Sequence, residues 1–294
     1  MVGILTDIPV TDLSDTDANS QHYAHCLQFL RQADFDRYLA VLYAPAEKRA
    51  ALAGLYAFNA EIARIRDVVH DALPGEVRLQ WWRDLINGTE HGAVTGNPVA
   101  ALLLKAISDY NLPRQVFDAY CEARIFDLYN DAMPSRNDLE GYCGETACTI
   151  LQMAALILDG EAAKSSAELS GHAGVAQAIA GLLRLMPLHR SRGQVYVPAE
   201  LLQAVGVSAE QFIKGDDKAA LKRVVTVLSA LAQEHYAAFL KQPMPASLKP
   251  AFLPVQLVPV VLKYAERKPD NVADRGIELS QLRRQWIYFK ASVF

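Results

Sequence analysis

The feature that most restricts this chain is a helical spacing of apolar residues that runs almost unbroken from about residue 22 to the end. Candidate helices lie near 22–43, 46–71, 76–88, 97–109, 113–131, 135–158, 166–188, 217–241, 246–266 and 275–292. Their breaks carry helix punctuation: Ala44-Pro45, Leu73-Pro74-Gly75, Gly96-Asn97-Pro98, Asp138, Asp159-Gly160 and Gly215-Asp216-Asp217. No segment sustains β alternation. The nearest, Gln194 to Pro198, is short and closed by proline. Turns rather than linkers separate the helices, so the spacing predicts one all-α domain over 21–294. Residues 1–20, dominated by Thr, Ser, Asp and Asn, are expected to form a flexible acidic arm.

Composition narrows the function classes. Half of the chain is hydrophobic (51%), enough to bury a large core. The longest apolar run, Thr146 to Leu158, is interrupted by Gln152 and falls short of the roughly 18 residues a membrane span needs. It reads as a buried helix, so no transmembrane segment is expected. A net charge of −4 provides no basic field for nucleic acid. The first 20 residues carry four Asp and no Lys or Arg, unlike a signal or transit peptide. A cytoplasmic protein of bacterial type is therefore expected, with peripheral membrane contact left open. Cys26, Cys121, Cys143 and Cys148 form no CxxC pair, and no His/Cys pair completes a zinc site around the last two. They read as buried, reduced thiols.

Three blocks carry a resemblance. Arg49-Ala-Ala-Leu-Ala-Gly-Leu-Tyr-Ala-Phe58 leads into a helix with Asp67 and is followed by Leu79-Gln-Trp-Trp-Arg83. Leu139-Glu-Gly-Tyr142-Cys143 opens a second helix, and Gly174 to Pro198 ends on Arg192-Gly193-Gln194-Val195-Tyr196-Val197-Pro198. In this order and spacing, over about 50–290, they resemble the squalene/phytoene synthase family, which has an Arg-Gly-Arg-aliphatic-Tyr-Leu-Pro segment at the last position. The resemblance implies an isoprenoid-synthase helical bundle around a central apolar cavity. It also implies the chemistry of prenyl diphosphates, whose polyanionic leaving group is neutralised by magnesium held on aspartates of two facing helices.

Those aspartates are largely missing. Counted from Phe58, the family's first pair falls on Ala63 and Asp67, and Arg64 adds positive charge beside them. The second set falls on Leu185, Leu188 and His189, where Pro187 also interrupts the helix. The polar Gln and Asn one to two turns earlier are matched by Ala178 and Gly181, and a Ser-Arg pair before Pro45 by Val41-Leu42. A displaced magnesium site is conceivable on Asp67 and Asp71, one helical turn apart. Arg184, Arg190, Arg192, Tyr142 and Tyr196 are the candidates for contacting an anionic ligand. His189 could contact an anion or cap a broken helix. Tyr142, Tyr196 and Phe126 read first as cavity or core aromatics. Trp81 and Trp82 are adjacent, so one should be core and the other half-exposed.

The pattern of losses, in Ala57 to Asp67, Leu183 to Arg192 and Val205 to Phe212, resembles a degenerate branch of the family, the mitochondrial assembly factor of respiratory complex I. That resemblance implies a non-catalytic scaffold with a protein partner in complex I biogenesis and an isoprenoid or lipid as possible ligand, needing no cofactor. The alternative is a head-to-head prenyl transferase acting on farnesyl or geranylgeranyl diphosphate through the displaced site, with Mg2+ as its cofactor.

Overall fold

The computed structural model describes residues 15–88 and 96–293, and within them the regular structure is helical. The chain begins with α1 (Asp15–Ala33), α2 (Phe35–Tyr43), α3 (Arg49–Ala63), α4 (Ile65–Val68), α5 (Ala72–Asn87), α6 (Pro98–Asp109) and α7 (Arg114–Ala123). It continues through α8 (Arg136–Cys143), α9 (Thr149–Leu158), α10 (Gly160–Lys164), α11 (Ala167–Arg184), α12 (Met186–Ser191), α13 (Ala199–Ala204) and α14 (Ala209–Lys214). The last five are α15 (Lys218–Phe239), α16 (Lys249–Phe252), α17 (Val258–Arg267), α18 (Pro269–Arg275) and α19 (Gln281–Val293). Only an isolated bridge joins Ala132 to Val195 among the described residues, consistent with the weak β signal there. Residues 1–14 of the acidic arm lie outside the described residues. Residues 15–20 are already part of α1.

Local chemistry explains where helices stop. Between α1 and α2 the Asp34 carboxylate caps the Arg37 N–H at 3.0 Å, so the expected 22–43 helix divides there. The expected 46–71 helix also divides. It loosens at Arg64 and ends at Val68, and Val69 is extended. Leu73-Pro74-Gly75, expected as a break between helices, instead fills the first turn of α5, where a proline's missing N–H has no partner to lose. α11 stops at Leu185, and Pro187 sits in the first turn of α12, as the proline implied. The Arg184 carbonyl left at this break accepts the Ile277 N–H at 3.2 Å, and Gly276 turns the loop in with φ +71°.

Packing places two helices in the middle. α3 buries ten of its fifteen residues and lies against α1, α6 and α9. Gly54 lets α6 in: a Cβ there would stand 2.9 Å from the Leu102 carbonyl carbon. α11 lies between α15 and the turn 144–148, and that turn is a π-type widening of the continuous helix 136–158. This run is long and apolar enough to cross a membrane by length and composition, but 61% of its most apolar stretch is buried in the fold, as expected for a core helix. One contiguous core extends from Cys26 to Tyr288, and all four cysteines lie in it as free thiols. Trp82 is core and Trp81 only partly buried, as their adjacency required.

The tightest helix crossing supplies a test. A Cβ on Gly174 would meet the Cys148 Cα and N at 2.6 Å, and these are backbone atoms that cannot swing aside. Gly174→Ala should therefore lower the unfolding free energy by about 1–3 kcal/mol, net of the helix propensity alanine adds. Urea denaturation followed by circular dichroism measures this. An unchanged or higher midpoint would contradict the packing described.

Candidate functional site

The end of α3, the start of α2, the break between α11 and α12, and the segments 124–127 and 192–196 converge on one cavity of about 650 Å³. The Asp34 cap turns α2 so that Asp34, Asp36 and Arg37 reach its wall. Thr146 and Ala147 of the π-type turn line it together with Tyr142 at the end of α8, and such helix insertions often occur at functional sites. Val258, Val261 and Leu257 give an apolar side, with Arg284 of α19 at the margin.

Most of the residues singled out from the sequence line this cavity. Ala63 and Asp67 face Leu185, Leu188 and His189 across the cavity, and Arg184, Arg192, Tyr142 and Tyr196 line it as well. Two candidates do not reach it. Asp71 lies beyond the end of α4 in extended conformation, as the N-cap residue of α5, so it shares no helical stripe with Asp67. Arg190 points the other way. Its guanidinium donates to the carbonyls of Phe212 (2.7 Å), Ala273 (2.9 Å) and Ile213 (3.3 Å) and lies over the Phe212 ring, joining α12 to α14 and α18. It holds the fold together instead of offering an anion contact.

The charges set the cavity's character. Seven arginines line it (Arg37, Arg64, Arg66, Arg124, Arg184, Arg192, Arg284) against four aspartates (Asp34, Asp36, Asp67, Asp127). Each aspartate is occupied. Asp67 accepts from Arg192 at 2.6 Å, with Arg64 at 3.9 Å from its other oxygen. Asp36 lies between Arg184 (3.0 Å) and Arg284 (3.1 Å), and Asp34 accepts from Arg37 at 2.6 Å. The Asp127 carboxylate, nearly buried, accepts from Arg124 (3.0 Å), Tyr142 (2.7 Å) and Tyr196 (2.8 Å), while Gln194 donates to its carbonyl. Asp34, Asp36, Arg124, Asp127 and Arg284 were not anticipated. The available signals were the Asp-Arg and Arg-Asp pairs three residues apart, 34/37 and 124/127.

Burial fixes the protonation states. It pushes both Tyr142 and Tyr196 well up, and the Asp127 charge adds to this, so both phenols remain donors. Burial lowers His189 from 6.5 to about 4, with Arg192 adding to the shift and Asp127 and Asp67 opposing it, so the ring is neutral at pH 7. His189 lies against Tyr196 with ring centroids 4.8 Å apart and planes tilted by 59°, and its side chain caps no helix end. Phe126, Tyr142 and Tyr196 form a mutual ring cluster, as their reading as cavity aromatics implied.

Magnesium does not fit this donor set. It needs several hard oxygens around one point. Facing Asp67, the cavity offers two leucines and an imidazole, and Asp67 itself is held by guanidinium groups. No cluster of three His, Cys, Asp or Glu suited to a metal occurs among the described residues.

Asp127 is a stability test of this network. Asp127→Asn keeps the shape but leaves the buried Arg124 charge uncompensated, which should lower stability by about 3 kcal/mol. Adding Arg124→Met to that variant should recover most of the loss in a double-mutant cycle followed by thermal denaturation. Additive losses would show that the two charges do not depend on each other.

Comparison with known proteins bears on the family and the fold. The sequence profile described as squalene/phytoene synthase matches residues 30–283. The human complex I assembly factor 6 is 30% identical over 84% of this chain and 74% of its own length. A presqualene diphosphate synthase from Rhodopseudomonas palustris is 28% identical over 68% of this chain and 71% of its own. Among solved structures, a dehydrosqualene synthase in complex with a ligand superposes with a TM-score of 0.76 at 17% identity, covering 93% of this chain and 96% of its own. A squalene synthase from Alicyclobacillus acidocaldarius superposes with a TM-score of 0.69 at 19% identity, over 85% and 95%.

Proposed function

The chain belongs to the squalene/phytoene synthase family, and we propose that it is a non-catalytic member whose folded cavity and surface serve the assembly of respiratory complex I. The observation that carries this reading is the pairing of all four cavity aspartates with arginine, opposite a wall from which the second set of carboxylates is absent. Ionising an allylic diphosphate requires positive charge placed where the leaving group develops its own, and such electrostatic stabilisation is usually the largest contribution an active site makes. Losing one well-placed group typically slows a reaction by about 10²–10³-fold. Here the metal-binding side of the clamp is gone.

The fold around the cavity is nonetheless complete, which supports a use for it other than turnover. An apolar side formed by Leu257, Val258 and Val261, next to a surplus of guanidinium groups, suits an isoprenoid or lipid with an anionic head. The similarity to complex I assembly factors over most of the chain directs the proposal toward that partner system. The displaced-metal alternative loses its premise, because Asp67 and Asp71 lie on different elements.

The genetic test separates the two readings. Deleting the gene in its source organism should lower membrane NADH dehydrogenase activity and the amount of assembled complex I, while squalene and carotenoid contents stay the same. Wild-type protein and Asp67→Asn should restore complex I equally. Loss of squalene or carotenoids with normal complex I would overturn the proposal.

A further inference from the structure

We propose that the outer face of α19 is a membrane-contact surface that seats the protein on an anionic bilayer. At 100° per residue, Leu282, Trp286, Phe289 and Val293 fall within about 60° of arc, and all four are exposed, Leu282 by 79% and Trp286 by 57%. The opposite face fixes the helix to the body of the protein. Tyr288 is fully buried and meets Tyr43 edge to face, Arg284 is paired with Asp36, and the helix packs on 253–257. The stripe is therefore presented outward by a helix that is itself firmly held.

The charges on α19 identify its occupant. The helix contains no Asp or Glu, and Arg283 and Lys290 form a row along one edge of the stripe, with the neutral Gln285 and Ser292 along the other. A second copy of α19 laid on this face would bring no carboxylate to that basic row, whereas lipid phosphates would supply a continuous layer of negative charge. The aromatic pair suits the same interface. Trp286 and Phe289 stack at 6.0 Å with planes 24° apart, and the Lys290 ammonium lies 5.0 Å over the Trp286 ring, so the cation stands beside an aromatic plate. An amphipathic helix with Leu, Trp and Phe on one face and cations at its edge lies in the headgroup region with its apolar stripe below it. The surface also adjoins the cavity, because Arg284 on the inner face of α19 lines it.

Flotation of the full chain with vesicles tests the assignment. The protein should float with vesicles of phosphatidylcholine mixed with phosphatidylglycerol, and much less with phosphatidylcholine alone. Trp286→Glu combined with Phe289→Glu should abolish flotation. Arg283→Gln and Lys290→Gln should each weaken it about fivefold and reduce its sensitivity to salt. These four side chains are exposed, and circular dichroism checks that each variant folds; if the double glutamate variant fails to fold, the two glutamine variants still decide the matter. No flotation of the wild-type protein, or undiminished flotation of the variants, would overturn the proposal. So would light scattering that shows a dimer or a captured protein lost on Trp286→Glu with flotation unaltered, since the stripe would then belong to a protein interface.

Discussion

A carboxylate on the wall of a cavity needs a cation, because the surrounding protein solvates it far less well than water does. In the enzymes this chain resembles, magnesium is expected to take that part. In this protein arginine does, and the structure around the cavity depends on it. The Asp36 pairs tie α2 to α11 and α19, the Asp67 pair ties α4 to the segment after α12, and Asp127 gathers Arg124, Tyr142 and Tyr196 from three separate stretches. The Asp36 contacts alone join α2 to helices 148 residues (Arg184) and 248 residues (Arg284, counted from Asp36) further along the chain. The carboxylates on the cavity wall thus act as cross-links of that wall.

The same exchange changes what the cavity can receive. Seven guanidinium groups against four carboxylates leave the lining cationic while His189 stays neutral. An anionic headgroup can be met directly by arginine, whose planar fork suits phosphate and carboxylate, without a metal between them. The apolar side formed by Leu257 and Val258 remains available to a chain attached to that head. A binding cavity without metal-assisted ionisation fits a protein that works by contact, and an exposed apolar stripe on α19 gives such a protein a second surface for contact.

Much of the fold was legible because apolar spacing records helix phase directly, and α6, α11 and α15 lie close to where the pattern placed them. Breaks were legible only where a residue enforces one. Pro187 announced the division near Leu185, whereas nothing in Ile62 to Val68 marks the loosening at Arg64, which tertiary packing decides. The short helices α13, α14 and α18 were not anticipated, because six or seven residues give too few turns for a period to show. Ala63, Asp67, Leu185, Leu188 and His189 were found through register with a known family and do meet at one cavity. Asp127 was missed because its partners Tyr142 and Tyr196 stand 15 and 69 residues away. Arg190 was misassigned for a related reason. A basic residue beside His189 looks like an anion contact until the fold places three backbone carbonyls around it.

The account rests on the cavity having exchanged a metal–diphosphate site for arginine–carboxylate pairs. Calorimetric titration of the protein with pyrophosphate, with and without magnesium, addresses this most directly. Magnesium should not strengthen pyrophosphate binding, and Asp67→Ala, which frees Arg192 and Arg64, should bind pyrophosphate at least as well as the wild-type protein. Tight binding that requires magnesium and disappears in Asp67→Ala would contradict the account.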